Sequence, residues 1–242
     1  EEINYDQLVQ IRREQELGFL PWLAISADKL ATVAYDPELK DLVNASLRFD
    51  LSNAVRISQK LVEDTPQDLE LRVQRVYFEF IAKNVDRAEA LIRDLLSEPD
   101  CEDEPRVNNI AGIVALARRN FAAADVYFLR AKSQAVGQAF LAADLINNYG
   151  WTKVCRERYD EALIAFEEAV TIYPGFLAAH VSRVGVLYRM NLLDEADKAR
   201  RALSKLLPTD RRVFLGLTYP VIEEYMDNAE ATAVSREARS AA

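Results

Sequence analysis

His180 is the only histidine in the 242-residue chain, and this limits the chemistry available to it. A multi-histidine metal site or an HExxH motif needs at least two. Ser182 is two residues away, and helical neighbours two apart point to different faces, so the two do not make a nucleophile and base. His180 therefore reads as a surface or core-edge residue. Cys101 and Cys155 are 54 residues apart, so there is no CxxC motif, and two cysteines give no disulfide framework in a chain this long. They read as unpaired, reduced thiols. No GxxxxGK[ST] or GxGxxG loop is present to cradle a phosphate. The run "EPDCEDEP" sets five carboxylates around Cys101 but lacks the alternating ligands and turn glycine of a calcium loop. It reads as a solvated loop whose acids lie near the next helix start, where the helix dipole favours them. No catalytic, metal or cofactor set emerges. Thirty-nine acidic residues do offer many incidental carboxylate pairs, so a carboxylate-based enzyme is the remaining catalytic alternative.

The elements that would position any site are helices. Half the residues are hydrophobic, and only 7 Gly and 8 Pro stand among abundant Ala, Leu, Arg and Glu. The net charge of −9 argues against nucleic acid as the main partner, because phosphate binding needs a basic surface. The most apolar stretch, Phe19 to Ala34, is interrupted by Pro21 and by Asp28-Lys29, so no transmembrane segment is expected. The chain opens "EEINYDQ" without methionine, which reads as a processed or trimmed product and leaves open a signal peptide or lipid-anchor cysteine upstream.

An internal repeat organises the sequence. Around Ala162 stand Tyr159, Phe166 and Ala169; the same frame recurs at Ala124 with Phe121, Phe128 and Ala131. It returns at Ala88 with Val85, Ile92 and Leu95, at Ala196 with Leu193 and Leu203, and at Ala54 with Leu51 and Leu61. These alanines are spaced by 34, 36, 38 and 34 residues, and prolines follow at Pro66, Pro174 and Pro208. Each copy reads as two helices joined by a short polar turn. In the fourth, Asp144 to about Arg156 forms the first helix and Tyr159 to Ile172 the second. Asp36-Pro37, Asp68, Glu104-Pro105 and Thr209 stand where first helices should begin. The longer spacings imply extra loop residues in "SEPDCEDEP" and "SQAVGQAF". Gly150 and Ala162 would give two antiparallel helices room to approach, with Tyr159 and Phe166 filling the space beside them. Gly112 takes the same position in the third copy.

This pattern resembles the tetratricopeptide repeat (TPR) family. The resemblance is carried by Tyr149-Gly150, Tyr159, Ala162, Phe166, Ala169 and Pro174, and by Gly112, Phe121, Ala124, Phe128 and Ala131, and it covers about residues 35 to 210. It departs where the first two units lack the first-helix glycine and where Arg200 replaces an aromatic. Gly185 also falls one residue late, which implies a shortened turn. The resemblance implies an all-α, right-handed α-solenoid of helix-turn-helix repeats with terminal capping helices. The expected layout is caps at 1–34 and 211–242, the latter ending in a frayed tail, around repeats at 35–68, 69–102, 105–138, 143–176 and 177–210.

In that family the first helices line a concave groove. Carried over, the partner-binding positions are Tyr77, Phe80, Asn109, Ile113, Asn147, Asn148, Trp151, Tyr188 and Arg189: aromatics for apolar side chains, amides for a peptide backbone. Lys83, Arg118, Arg119, Arg156, Arg158 and Arg189 fall at first-helix ends, either compensating helix dipoles or forming a basic ridge for an anionic partner. The lysines with which chaperone-binding relatives clamp a terminal carboxylate are missing. The expected function is a non-enzymatic scaffold that binds a protein or peptide within a larger assembly. By analogy this would be a bacterial pilus or secretion accessory factor, lipid-anchored in the periplasm. The alternative is a regulatory or sensor TPR domain of a larger cytoplasmic protein.

Overall fold

The computed structural model describes residues 35–206 apart from Phe49, together with Lys29, Thr32 and Val33. The terminal caps and the Thr209 start signal fall outside the described residues or nearly so. Among the described residues there is no strand. The first pair of long helices is α1 (Pro37–Leu47) with α2 (Leu51–Asp64), and the second is α3 (Leu69–Ile81) with α4 (Val85–Leu96). A short α5 (Pro99–Glu102) precedes α6 (Pro105–Ala117) and α7 (Phe121–Gln134). Then come α8 (Ala139–Val154) with α9 (Tyr159–Ile172) and α10 (Leu177–Arg189) with α11 (Leu193–Leu206). The helices fall in two compact units, one ending at Gln138 and the other beginning at Ala139. Within each unit a second helix packs on its own first helix and on the next first helix, and two pairs of first helices also touch, α3 with α6 and α8 with α10.

The predicted start signals act as caps. The Asp36 carboxylate accepts from the amides of Glu38 and Leu39, and Asp68 accepts from Leu71 N–H. Glu104 accepts from Arg106 N–H, with Pro105 at the first helical position. Each cap satisfies helix-start amides that have no partner within the helix.

The alanines identify equivalent sites. Ala54, Ala88, Ala124, Ala162 and Ala196 are each the fourth residue of their helix and each 0% exposed. Each amide donates to the carbonyl four residues back, at Asp50, Asn84, Asn120, Arg158 and Leu192, over 2.9–3.1 Å.

The turns before them are equivalent too. Lys83, Arg119, Glu157 and Asn191 adopt positive φ of 66°, 59°, 58° and 59°, each two residues before its second helix. The following amide reaches back five residues, from Asn84 to Glu79, Asn120 to Ala115, Arg158 to Lys153 and Leu192 to Leu187. This closes the first helix with its last carbonyls satisfied. The last turn is therefore not shortened. The displaced Gly185 lies inside α10 and leaves the turn bonds unchanged. Left-handed backbone is strained for residues carrying a Cβ. Replacing Glu157 by glycine should thus raise stability by about 1 kcal/mol in urea denaturation, whereas Glu157→Val should lower it.

Gly112 and Gly150 have a defined steric role. A Cβ on Gly112 would lie 2.4 Å from Phe128 Cε1, and one on Gly150 would lie 2.5 Å from Phe166 Cε1. Both rings are fully buried, so they cannot swing away into solvent. In the other pairs the corresponding positions trade volume. Leu42 corresponds to Ser58, Val76 to Ile92, and Val184 to the exposed Arg200. Where the first-helix glycine is missing, the large second-helix ring is missing as well.

Two segments depart from expectation. The helix predicted from Asp144 begins at Ala139, because "AFLAA" is strongly helix-forming and Phe140 anchors the added turn. Its ring meets Tyr173 and Phe176 edge-on at 5.8 and 5.5 Å. The acidic run is not a solvated loop. It contains α5 with Cys101 buried, and neighbouring helices hold its carboxylates. Arg72 forks onto Glu98, and this ion pair holds the Glu98 carboxyl below the usual carboxylate range. Arg130 reaches Glu102 at 3.1 Å, Gln134 reaches Asp103 at 2.9 Å, and Asn108 donates to the carbonyls of Glu102 and Glu104.

Candidate partner-binding face

The candidate residues sort by burial. In the first unit Tyr77 on α3 and Asn109 on α6 are buried, and Asn109 Nδ2 donates to the Tyr77 hydroxyl at 3.2 Å. This bond ties one first helix to the next. Phe80 and Ile113 on the same two helices are half-buried. In the second unit Asn147 and Asn148 are buried and Trp151 is half-buried. The Trp151 indole donates to Ser182 Oγ at 3.1 Å, so α8 is tied to α10 as α3 is to α6. The Trp151 ring also lies 5.9 Å from that of Phe166.

The candidates differ in how far they are open to solvent. The amides of Asn109, Asn147 and Asn148 are buried rather than open to solvent, and that of Asn109 is held by Tyr77 on the adjacent first helix. Tyr188 and Arg189 are turned toward second helices. The Tyr188 hydroxyl donates to Asp197 on α11 at 3.1 Å, and the Arg189 guanidinium lies 5.9 Å from the Tyr159 ring on α9. Among the candidates, Phe80 and Ile113 in one unit and Trp151 and Tyr188 in the other are half-buried, and Arg189 is exposed. Ser182 was not foreseen as a partner for Trp151; a hydroxyl between the apolar Val181 and Val184 was the available signal.

The basic residues at first-helix ends are also engaged locally. Arg118 pairs with Asp86 and with Glu89, the latter at 3.0 Å. Arg158 pairs with Glu161, and Arg119 lies over the Phe121 ring at 6.0 Å.

Neither cysteine is in a disulfide, and among the described residues no cluster of three His, Cys, Asp or Glu could hold a metal ion. Burial pushes the Cys101 thiol up, and hydrogen bonding to Glu98 adds to this, so the reactive thiolate is disfavoured. His180 Nε2 lies 2.8 Å from the Pro174 carbonyl and must carry the proton, since a carbonyl only accepts. Burial, with the Arg183 charge adding to it, lowers the His180 pKa despite that bond. The fold thus binds fewer protons at His180 than the unfolded chain does. Stability associated with this residue is present above the unfolded value of about 6.5 and is lost as pH falls through it and through the lower folded pKa. Urea denaturation between pH 7.5 and 5 should show a smaller loss for His180→Gln than for wild type.

No protein-family model and no curated protein matches the chain. Among solved structures, one described as the functional characterization of Pseudomonas aeruginosa pilF aligns with TM-score 0.58 at 15% identity, covering 83% of this chain and 89% of that one. The crystal structure of MamA aligns with TM-score 0.50 at 19% identity, covering 67% of this chain and 92% of that one. The fold is that of a TPR-like α-solenoid. At these identities the likeness is one of fold, and no helix among the described residues is long and apolar enough to cross a membrane.

Proposed function

We propose that this chain is a non-enzymatic scaffold that holds a protein or peptide partner on the first-helix face of its repeats, within a larger assembly. The observation that carries this reading is the sorting of the candidate residues. Asn109 and Tyr77 join one first helix to the next and Asn147 and Asn148 are buried, while Phe80, Ile113 and the ring of Trp151 stay partly open on those helices. Half-exposed aromatics on a rigid helical frame can receive apolar side chains with little entropy loss. The absence of a catalytic constellation in the sequence agrees with a binding role. The narrower role we attach to it is that of an accessory factor in pilus or secretion machinery. The likeness to pilF supports this only through the shared fold.

Photo-crosslinking tests the reading. A photoreactive phenylalanine analogue at Trp151 or Phe80 should trap the partner. The same group at Ile164, 66% exposed on the second helix α9, should not. Trapping at Ile164 alone would move the partner to the other face.

A further inference from the structure

Arg75 on α3 is a buried cation that no carboxylate pairs with directly. It is 7% exposed, and its Nε is closed off from solvent with no hydrogen-bond partner. Three charges act on it: Arg87 on α4, Glu79 one turn further along α3, and Glu63 on α2. Neither carboxylate has closed on the guanidinium. Glu79 accepts from Asn84 Nδ2 at 2.9 Å, and Glu63 accepts from Gln59 at 2.8 Å. That use of Asn84 coincides with α4 starting without a side-chain cap. A buried charge left unpaired is strongly unfavourable, and a second cation beside it adds to the penalty. Charges perturbed by burial and by their neighbours recur at functional sites.

We propose that Arg75, within electrostatic reach of the exposed Arg87, is a binding site for an oxyanion, a phosphate or a carboxylate group. The planar guanidinium offers two parallel donors to either, and the added anion is attracted by both arginines against the repulsion of Glu79 and Glu63. The site is separate from the first-helix face, because Tyr77 lies about 200° round the helix from Arg75. It requires nothing of the scaffold reading.

Thermal denaturation at constant ionic strength tests it, with chloride replaced stepwise by phosphate in one arm and by acetate in the other. The wild type should show a saturable rise in Tm of about 3 °C or more in at least one arm. A response to phosphate alone assigns a phosphate group, and a response to acetate assigns a carboxylate such as an acidic side chain presents. Arg75→Met should lose the response and in chloride should melt no lower than wild type, because it removes an unpaired buried charge. Phosphate also stabilises proteins generally, so the difference between wild type and variant is what counts. Should Arg75→Met fail to fold, the exposed Arg87→Gln decides, with half-saturation shifted upward about tenfold. An identical response in wild type and variants, or none in either arm, overturns the site.

Discussion

Phe166→Ala should lower the unfolding free energy by roughly 3–5 kcal/mol, and in its presence Gly150→Ala should change from harmful to helpful. The ring is fully buried between α8 and α9, and its edge occupies the space a Gly150 side chain would need. In the wild type, alanine at 150 gains about 1 kcal/mol in helix propensity but meets the ring far inside contact distance. Overpacking of this kind costs roughly 1–3 kcal/mol, so a net loss of about 1 kcal/mol is expected. Without the ring only the propensity gain remains, and Gly150→Ala should stabilise by roughly 0.5–1 kcal/mol. A double-mutant cycle in urea measures the sign reversal directly. Gly150→Ala with the same sign in both backgrounds would mean that glycine and ring do not share this space.

The second large effect separates two alanines of one helix. Ala124 is fully buried at the contact of α7 with its neighbours, whereas Ala122, two residues earlier, is exposed. Ala124→Leu should cost roughly 1–3 kcal/mol or more, because three added carbons have nowhere to go. Ala122→Leu adds the same atoms toward solvent and should stay within about 0.5 kcal/mol of wild type. Repeating the buried substitution at Ala88 and Ala162 should give similar losses, since both hold the same fourth position.

How much of this could be read from the chain depends on the kind of signal. The alanine frame was legible because a site too tight for any larger side chain leaves the same residue at every recurrence. The caps were legible because aspartate and Glu-Pro at a helix start act through local bonds. The helix α5 carried the same signal at Glu98-Pro99, followed by acids in its first turn, but four residues are too few to show periodicity. The added turn of α8 depends on Phe140 finding Tyr173 and Phe176, more than thirty residues away in sequence, a contact that periodicity cannot report. The candidate face was read at the level of helices but not of side chains. An asparagine looks the same in sequence whether it meets a partner's backbone or, like Asn109, the hydroxyl of Tyr77. Arg75 passed unnoticed for a related reason: arginine is normally exposed, and only packing shows that this one is buried.

Amide hydrogen exchange, measured on the chain alone and with its crosslink-identified partner bound, tests the first-helix face most directly. Binding there should slow exchange at least tenfold in α3 and α6 around Phe80 and Ile113, or in α8 and α10 around Trp151, while the outer turns of α4, α7 and α9 keep their free rates. Protection confined to those second helices, with the first helices unchanged, would contradict it.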